Sequence, residues 1–143
     1  DAVDAEAICE AAQRPRMRFV PLKEVRHQDI QSIHRAREQA IKRRTALINE
    51  IRGLLSEYGV VIPQGASYVY KKLPEILEDP DELLTALFKQ VLSKLGEDLR
   101  VLRKSIIEYE QMITQVYQGT AVCRSVGQIS GVGKITATAI YAA

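Results

Sequence analysis

The sequence has no tryptophan, and aromatic residues fill only 6% of its 143 positions, a composition ordinary for a soluble protein of one compact domain or two small modules. No apolar run approaches the roughly 18 residues of a membrane span, so neither a transmembrane segment nor a membrane partner is expected. Cysteine is equally scarce. Cys9 and Cys123 stand far apart in alanine- and valine-rich surroundings, which favours buried, reduced thiols in a cytoplasmic protein over a disulfide. No secretory leader is visible. The chain opens on Asp1 instead of Met and stops at Ala143 in mid-pattern, which reads as a segment of a longer protein. Nor is there a strong excess of one charge. A formal net charge of +2 is too small to imply nucleic acid by itself, so any such case rests on local clustering.

What is present is helical periodicity. Phe88, Leu92, Leu95, Leu99, Leu102, Ile106, Tyr109, Ile113 and Val116 recur in alternating steps of three and four, the repeat that lets one helix lie along another at the shallow angle of a coiled coil. A second long helix is predicted from Lys23 or Glu24 to Tyr58, with Gly53 its one glycine and no proline from Val25 onward. Ile30, Ile33, Ala40, Leu47, Ile51 and Leu54 carry its heptad, and Ile41, Ile48 and Leu55 widen the stripe. Gly59 ends this helix. A shorter helix is expected from Ser67 to Glu78 with Pro74 in its first turn, and Asp79-Pro80 reads as the cap and first position of the helix that bears the Phe88 stripe. Two helices of about 35 residues are on the order of 50 Å long. They are predicted to pair antiparallel, and the apolar surface left over predicts a homodimer through the same helices, with tetramers left open.

Residues that could carry chemistry flank this hairpin. Asp1 and Asp4 lie three apart, so a helix puts both carboxylates on one face, as two ligands of a Mg²⁺ nuclease site require; an acidic helix start without other role gives the same spacing. Arg14 to Pro21 cannot be helical, because Pro15 and Pro21 restrict the residues before them, and it reads as a short strand or strapped loop. Arg35, Arg37, Lys42, Arg43 and Arg44 form a basic cluster answered locally only by Glu38, with Arg37 and Arg44 at core-like heptad positions. They suit a phosphate-binding ridge, or long stems that cover a partner helix while their heads stay in water. Val122 to Val126 is a short apolar segment. Beyond it, the Ile129-Ser130-Gly131-Val132-Gly133-Lys134 stretch has the pattern of a helix-hairpin-helix, in which Gly131 and Gly133 let backbone amides approach a phosphate and Lys134 adds charge. A purely structural glycine turn is the alternative.

Three of these stretches together resemble one family. Asp1-Ala2-Val3-Asp4-Ala5-Glu6-Ala7-Ile8 with Arg14 to Pro21, then Arg43-Arg44-Thr45-Ala46-Leu47-Ile48-Asn49-Glu50-Ile51-Arg52-Gly53-Leu54-Leu55, then Ile129 to Ala139, resemble in order the DEDD-type insertion-sequence transposases, the one-ten family that includes the Piv-type invertases. The resemblance spans nearly the whole chain. It implies a mainly α fold: residues 1–23 as the end of an α/β RuvC-like domain, 24–118 as an antiparallel coiled-coil and dimerisation region, and 119–143 as the helix-hairpin-helix-like start of a C-terminal transposase domain. It also implies excision and insertion of a mobile element by DNA strand cleavage and rejoining in a bacterial cytoplasm. Asp1 and Asp4 match the last two of four acidic Mg²⁺ ligands, and a structured guide RNA pairs with the DNA. The other two ligands are expected upstream and the nucleophilic serine downstream, so neither Ser125 nor Ser130 is assigned that role.

Two other readings compete with a transposase segment: a helical adaptor that dimerises and binds no nucleic acid, and a sequence-specific DNA-binding regulator, for which no recognition helix is evident. With only two of the expected acidic ligands and no nucleophile, the 143-residue chain alone should leave supercoiled DNA intact in Mg²⁺. Nicked or linear product above the metal-free control, on an agarose gel, would overturn this expectation.

Overall fold

The helical periodicity is realised in full. The structure, a computed structural model, describes residues 1–18, 22–79 and 83–143, and builds them into six helices: α1 (Ala2–Ala12), α2 (Val25–Glu57), α3 (Ala66–Glu78), α4 (Ala86–Gly119), α5 (Ala121–Val126) and α6 (Lys134–Ala142). No strand occurs among the described residues. Of the two expectations for the Arg14 to Pro21 stretch, strand or strapped loop, Arg14–Arg18 takes the loop, with a turn at Pro15 and Arg16, and Phe19, Val20 and Pro21 lie outside the described residues.

α2 and α4, of 33 and 34 residues, are the frame. They run antiparallel: Tyr58 stacks on Phe88 with ring centroids 4.1 Å apart, Arg37 binds Glu110, and Arg26 donates to the Thr120 hydroxyl at 3.1 Å. Every residue of the Phe88–Val116 stripe is buried or half-buried, with Leu92, Leu99 and Ile113 almost wholly so. The stripe is therefore occupied within one chain, against Ile48, Ile51 and Leu55 of α2 and against the shorter helices.

The ends of the long helices follow local chemistry. Past the end of α2, Gly59 takes a φ of +77°, open to glycine at little cost, and its N–H and that of Val60 reach back to the carbonyls of Ser56 and Leu55. α4 starts later than Asp79-Pro80 suggests. Thr85 is its cap, its hydroxyl accepting from the Phe88 N–H at 3.2 Å, while Asp79 ends α3 and Pro80 lies outside the described residues. Pro74 is also placed differently, inside α3 and not in its first turn, because that helix begins at Ala66.

Around the turn of the hairpin, Val69 and Leu73 of α3 close the core over Leu84, Leu92 and Leu99. α3 comes close enough to α4 that a β-carbon at Gly96 would lie 3.0 Å from Leu73. At the other end α6 packs on the start of α2 and the end of α4, and α5 packs on α4 and α6. Cys123 is buried there, as expected, whereas Cys9 is exposed on α1, which packs on no other helix among the described residues.

Truncating a core position should separate from truncating an outward one. Leu92 is 0% exposed and Leu87 is 72% exposed. Leu92→Ala should lower the unfolding free energy by about 3 kcal/mol, and Leu87→Ala by no more than about 0.5 kcal/mol, both read from urea denaturation followed by circular dichroism.

Candidate nucleic-acid interface

The basic cluster of α2 does not form one ridge. Arg37 and Arg44 are seven residues apart and remain half-buried on the side that faces α4, while Arg35, Lys42 and Arg43 are exposed. Arg37 donates from Nε at 3.0 Å and Nη2 at 2.6 Å to one carboxylate oxygen of Glu110, so it bridges the two long helices. Lys42 pairs with Glu38 one turn away at 2.8 Å. Among the described residues Arg35, Arg43 and Arg44 have no carboxylate within ion-pair distance, and the Nε of Arg44 is buried with no hydrogen-bond partner.

The glycine turn is set by the seating of α6. Thr138 is 0% exposed, donates to the carbonyls of Lys134 or Ile135 within its own helix, and meets His34 Nε2 at 3.0 Å. His27 packs edge-on against Tyr141 at 4.7 Å, and Gln31 and Lys23 donate to the Ala142 carbonyl at 2.6 and 3.5 Å, where the negative end of the helix favours such partners. These contacts run α6 antiparallel to α2, so its first turn points towards the middle of the hairpin. Gly131 has a φ of +84°, which accounts for glycine there. Gly133, the residue before α6, does not need to be glycine for its backbone, with φ −83° and ψ 174°, and a β-carbon on it would meet nothing within 4 Å. Lys134 is exposed beside it, without an ion-pair partner among the described residues.

Asp1 and Asp4 are exposed at the start of α1. Their oxygens are the hard donors that Mg²⁺ prefers, yet no group of three or more His, Cys, Asp or Glu residues able to hold a metal ion occurs among the described residues. The two carboxylates alone do not make a metal centre, and no step through one follows from this chain. Sequence reasoning overlooked a second basic group, Arg100, Arg103 and Lys104 on α4; its signal was three cations within five positions, hidden among the charges expected on any solvent face.

The chain is mainly helical, with cations on its long helices that have no ion-pair partner among the described residues and an open glycine turn before a short helix. Comparison with known proteins narrows the reading. Residues 1–60 match the family model of the DEDD transposases of the IS110 type, described as transposase. The chain is 44% identical over 142 residues to the transposase for insertion sequence element IS1111A of Coxiella burnetii, covering 99% of this chain and 39% of that protein. It is 30% identical over 138 residues to the transposase for insertion sequence element IS1328 of Yersinia enterocolitica, covering 96% of this chain and 40% of that one. No solved structure matches. Nearly the whole chain is thus similar to a segment of insertion-sequence transposases, and it spans about two fifths of the length of these curated relatives.

Seating α6 on a histidine makes the fold sensitive to acid. Burial, assisted by the charge of Arg37, holds the pKa of His34 below the ordinary histidine value. The unfolded chain then takes up the proton more readily than the folded one. The stability contributed by neutral His34 is complete above about pH 6.5 and is lost as the pH falls towards the folded pKa. Moving from about pH 7.5 to about pH 5 should lower the urea midpoint more for the native chain than for His34→Gln; equal decreases would show that His34 carries none of the acid sensitivity.

Proposed function

We propose that this chain is the spacer and DNA-contacting segment of a DNA transposase, part of an enzyme that cuts and rejoins the strands of a mobile element. The observation that carries the reading is Gly133. Neither backbone conformation nor packing within the chain demands glycine there, so the missing side chain has its use outside, where it leaves the amides at the start of α6 open to a phosphate. Lys134 supports this as a point charge beside those amides, and Gly131 allows the turn. The segment from α5 to α6 then works as a helix-hairpin-helix, gripping backbone without reading bases. Arg35 and Arg43, exposed and unpaired, add contacts from α2, with Arg37 and Arg44 as the seam residues behind them.

The finer parts of the reading rest on the family. Asp1 and Asp4 contribute two Mg²⁺ ligands to a site completed by carboxylates elsewhere in the parent protein, and a structured guide RNA carries sequence choice through base pairing. Dimerisation is supported by apolar residues of α4 that stay exposed, Leu87, Val91, Val101 and Met112, in place of the Phe88 stripe, which is filled within the chain.

Fluorescence anisotropy with a duplex of random sequence tests the DNA contact. Affinity should fall steeply with salt, Arg35→Glu with Arg43→Glu should weaken it by about tenfold or more, and Gly133→Ala should weaken it several-fold at an unchanged melting temperature. Absent or salt-independent binding would favour the adaptor reading.

A further inference from the structure

The register of the long helices brings a third group of cations into play. With Arg37 against Glu110 and Tyr58 against Phe88, Arg44 of α2 stands opposite Leu102 and Arg103 of α4. Arg103 lies over the ring of Tyr70, its guanidinium carbon 5.0 Å from the ring centroid. That stack holds the guanidinium in place before any ligand arrives, which lowers the cost of ordering it. Arg100 and Lys104 follow on the same side of α4 and share with Arg103, Ile107, Glu108 and Gln111 the walls of a shallow open depression. Charge in this patch is poorly compensated. Among the described residues neither Arg100 nor Arg103 has a carboxylate within ion-pair distance, and Lys104 reaches Glu108 only at 3.9 Å. Arg44 adds a guanidinium whose Nε is buried and unpartnered, so the chain leaves part of its desolvation unanswered.

We propose that Arg100, Arg103 and Lys104, backed by Arg44, form a second contact of this chain with the phosphate backbone of duplex DNA, on α4 between the footprints of α3 and α6. The proposal rests on the reading of the chain as a DNA-contacting transposase segment and extends it to a helix not assigned that role. The partner chemistry is a row of phosphates: arginine forks suit their paired oxygens, and the open form of the depression suits a backbone passing along it better than an enclosed small molecule.

The test compares two charge-removed variants of the 143-residue chain, binding a random duplex over a salt series. Arg100→Gln with Lys104→Gln leaves the Arg103–Tyr70 stack alone and should lower affinity by about tenfold, reducing the salt slope by about two. Arg35→Gln with Arg43→Gln reports on the α2 contacts independently. If the α2 pair weakens binding and the α4 pair does not, the α4 contact is refuted while the transposase reading stands. If the native chain binds no duplex, both fail together. A structured RNA run in parallel marks the source of the phosphates: loss of RNA binding alone, with DNA unaffected, also overturns the proposal. Arg103→Lys, which keeps the charge, should retain more affinity than Arg103→Gln at equal melting temperature; equal loss in both would remove Arg103 from the contact.

Discussion

Everything in this chain is hung on the dry seam between α2 and α4. Ile48, Ile51 and Leu55 on one helix and Leu92 and Leu99 on the other leave almost no surface to water, and each such side chain contributes on the order of 1.5–3 kcal/mol when fully buried. Neither helix would be stable alone on its local preferences, since isolated helices depend on packing of an apolar face. Together they form a rod on the order of 50 Å long, and the short helices sit at its two ends: α3 by the hairpin turn, α5 and α6 by the start of α2 and the end of α4. The separation of those ends is fixed by the length of the rod.

An apolar seam with a regular repeat can slide by a heptad at little loss, so the polar interruptions matter. Arg37 against Glu110 is the clearest of them. The pair is only partly shielded, with 21% of the Arg37 and 43% of the Glu110 side chain exposed, so its direct contribution is closer to that of a surface ion pair, up to about 1 kcal/mol, than to a buried one. A one-heptad slip, however, would take Arg37 from Glu110 and set it by Leu102 and Arg103 or by Val116 and Tyr117. The cost of that misplacement discriminates against the slipped state even where the pair adds little to the correct one. Arg26 with Thr120 and Tyr58 on Phe88 mark the same register at the two ends.

The parts of the fold legible in the sequence were those in which local pattern and tertiary packing agree. The stripes of α2 and α4 and the glycine stop after Tyr58 are of this kind, because burial, propensity and turn chemistry all act at the same residues. The start of α4 was misread because Asp79-Pro80 and Thr85 offer competing starts, and only the Thr85 hydroxyl meets the Phe88 N–H. Pro74 was placed too early for a similar reason: packing of Val69 and Leu73 before it and of Ile76 and Leu77 after it holds α3 together, where propensity alone would end the helix. At the candidate site, sequence named the α2 cations and the glycine turn but not how they are divided. Whether Arg37 turns to Glu110 or to solvent depends on a residue 73 positions away, and no local pattern carries that.

A balanced total conceals an uneven partition of charge. Three lysines are neutralised within their own helices: Lys42 by Glu38, Lys72 by Glu75, Lys94 by Glu97 and Asp98. Arginines are left over, Arg35 and Arg43 on α2, Arg100 and Arg103 on α4, with Arg44 in the seam between. The distinction has physical content, since a lysine one turn from a glutamate improves solubility and helix stability by a few tenths of a kcal/mol, whereas an unpaired, weakly hydrated guanidinium retains its full capacity for a phosphate. Sorting of this kind makes a net charge of +2 compatible with a surface that is locally strongly basic, and it locates that surface on the two helices whose apolar seam holds everything else in place.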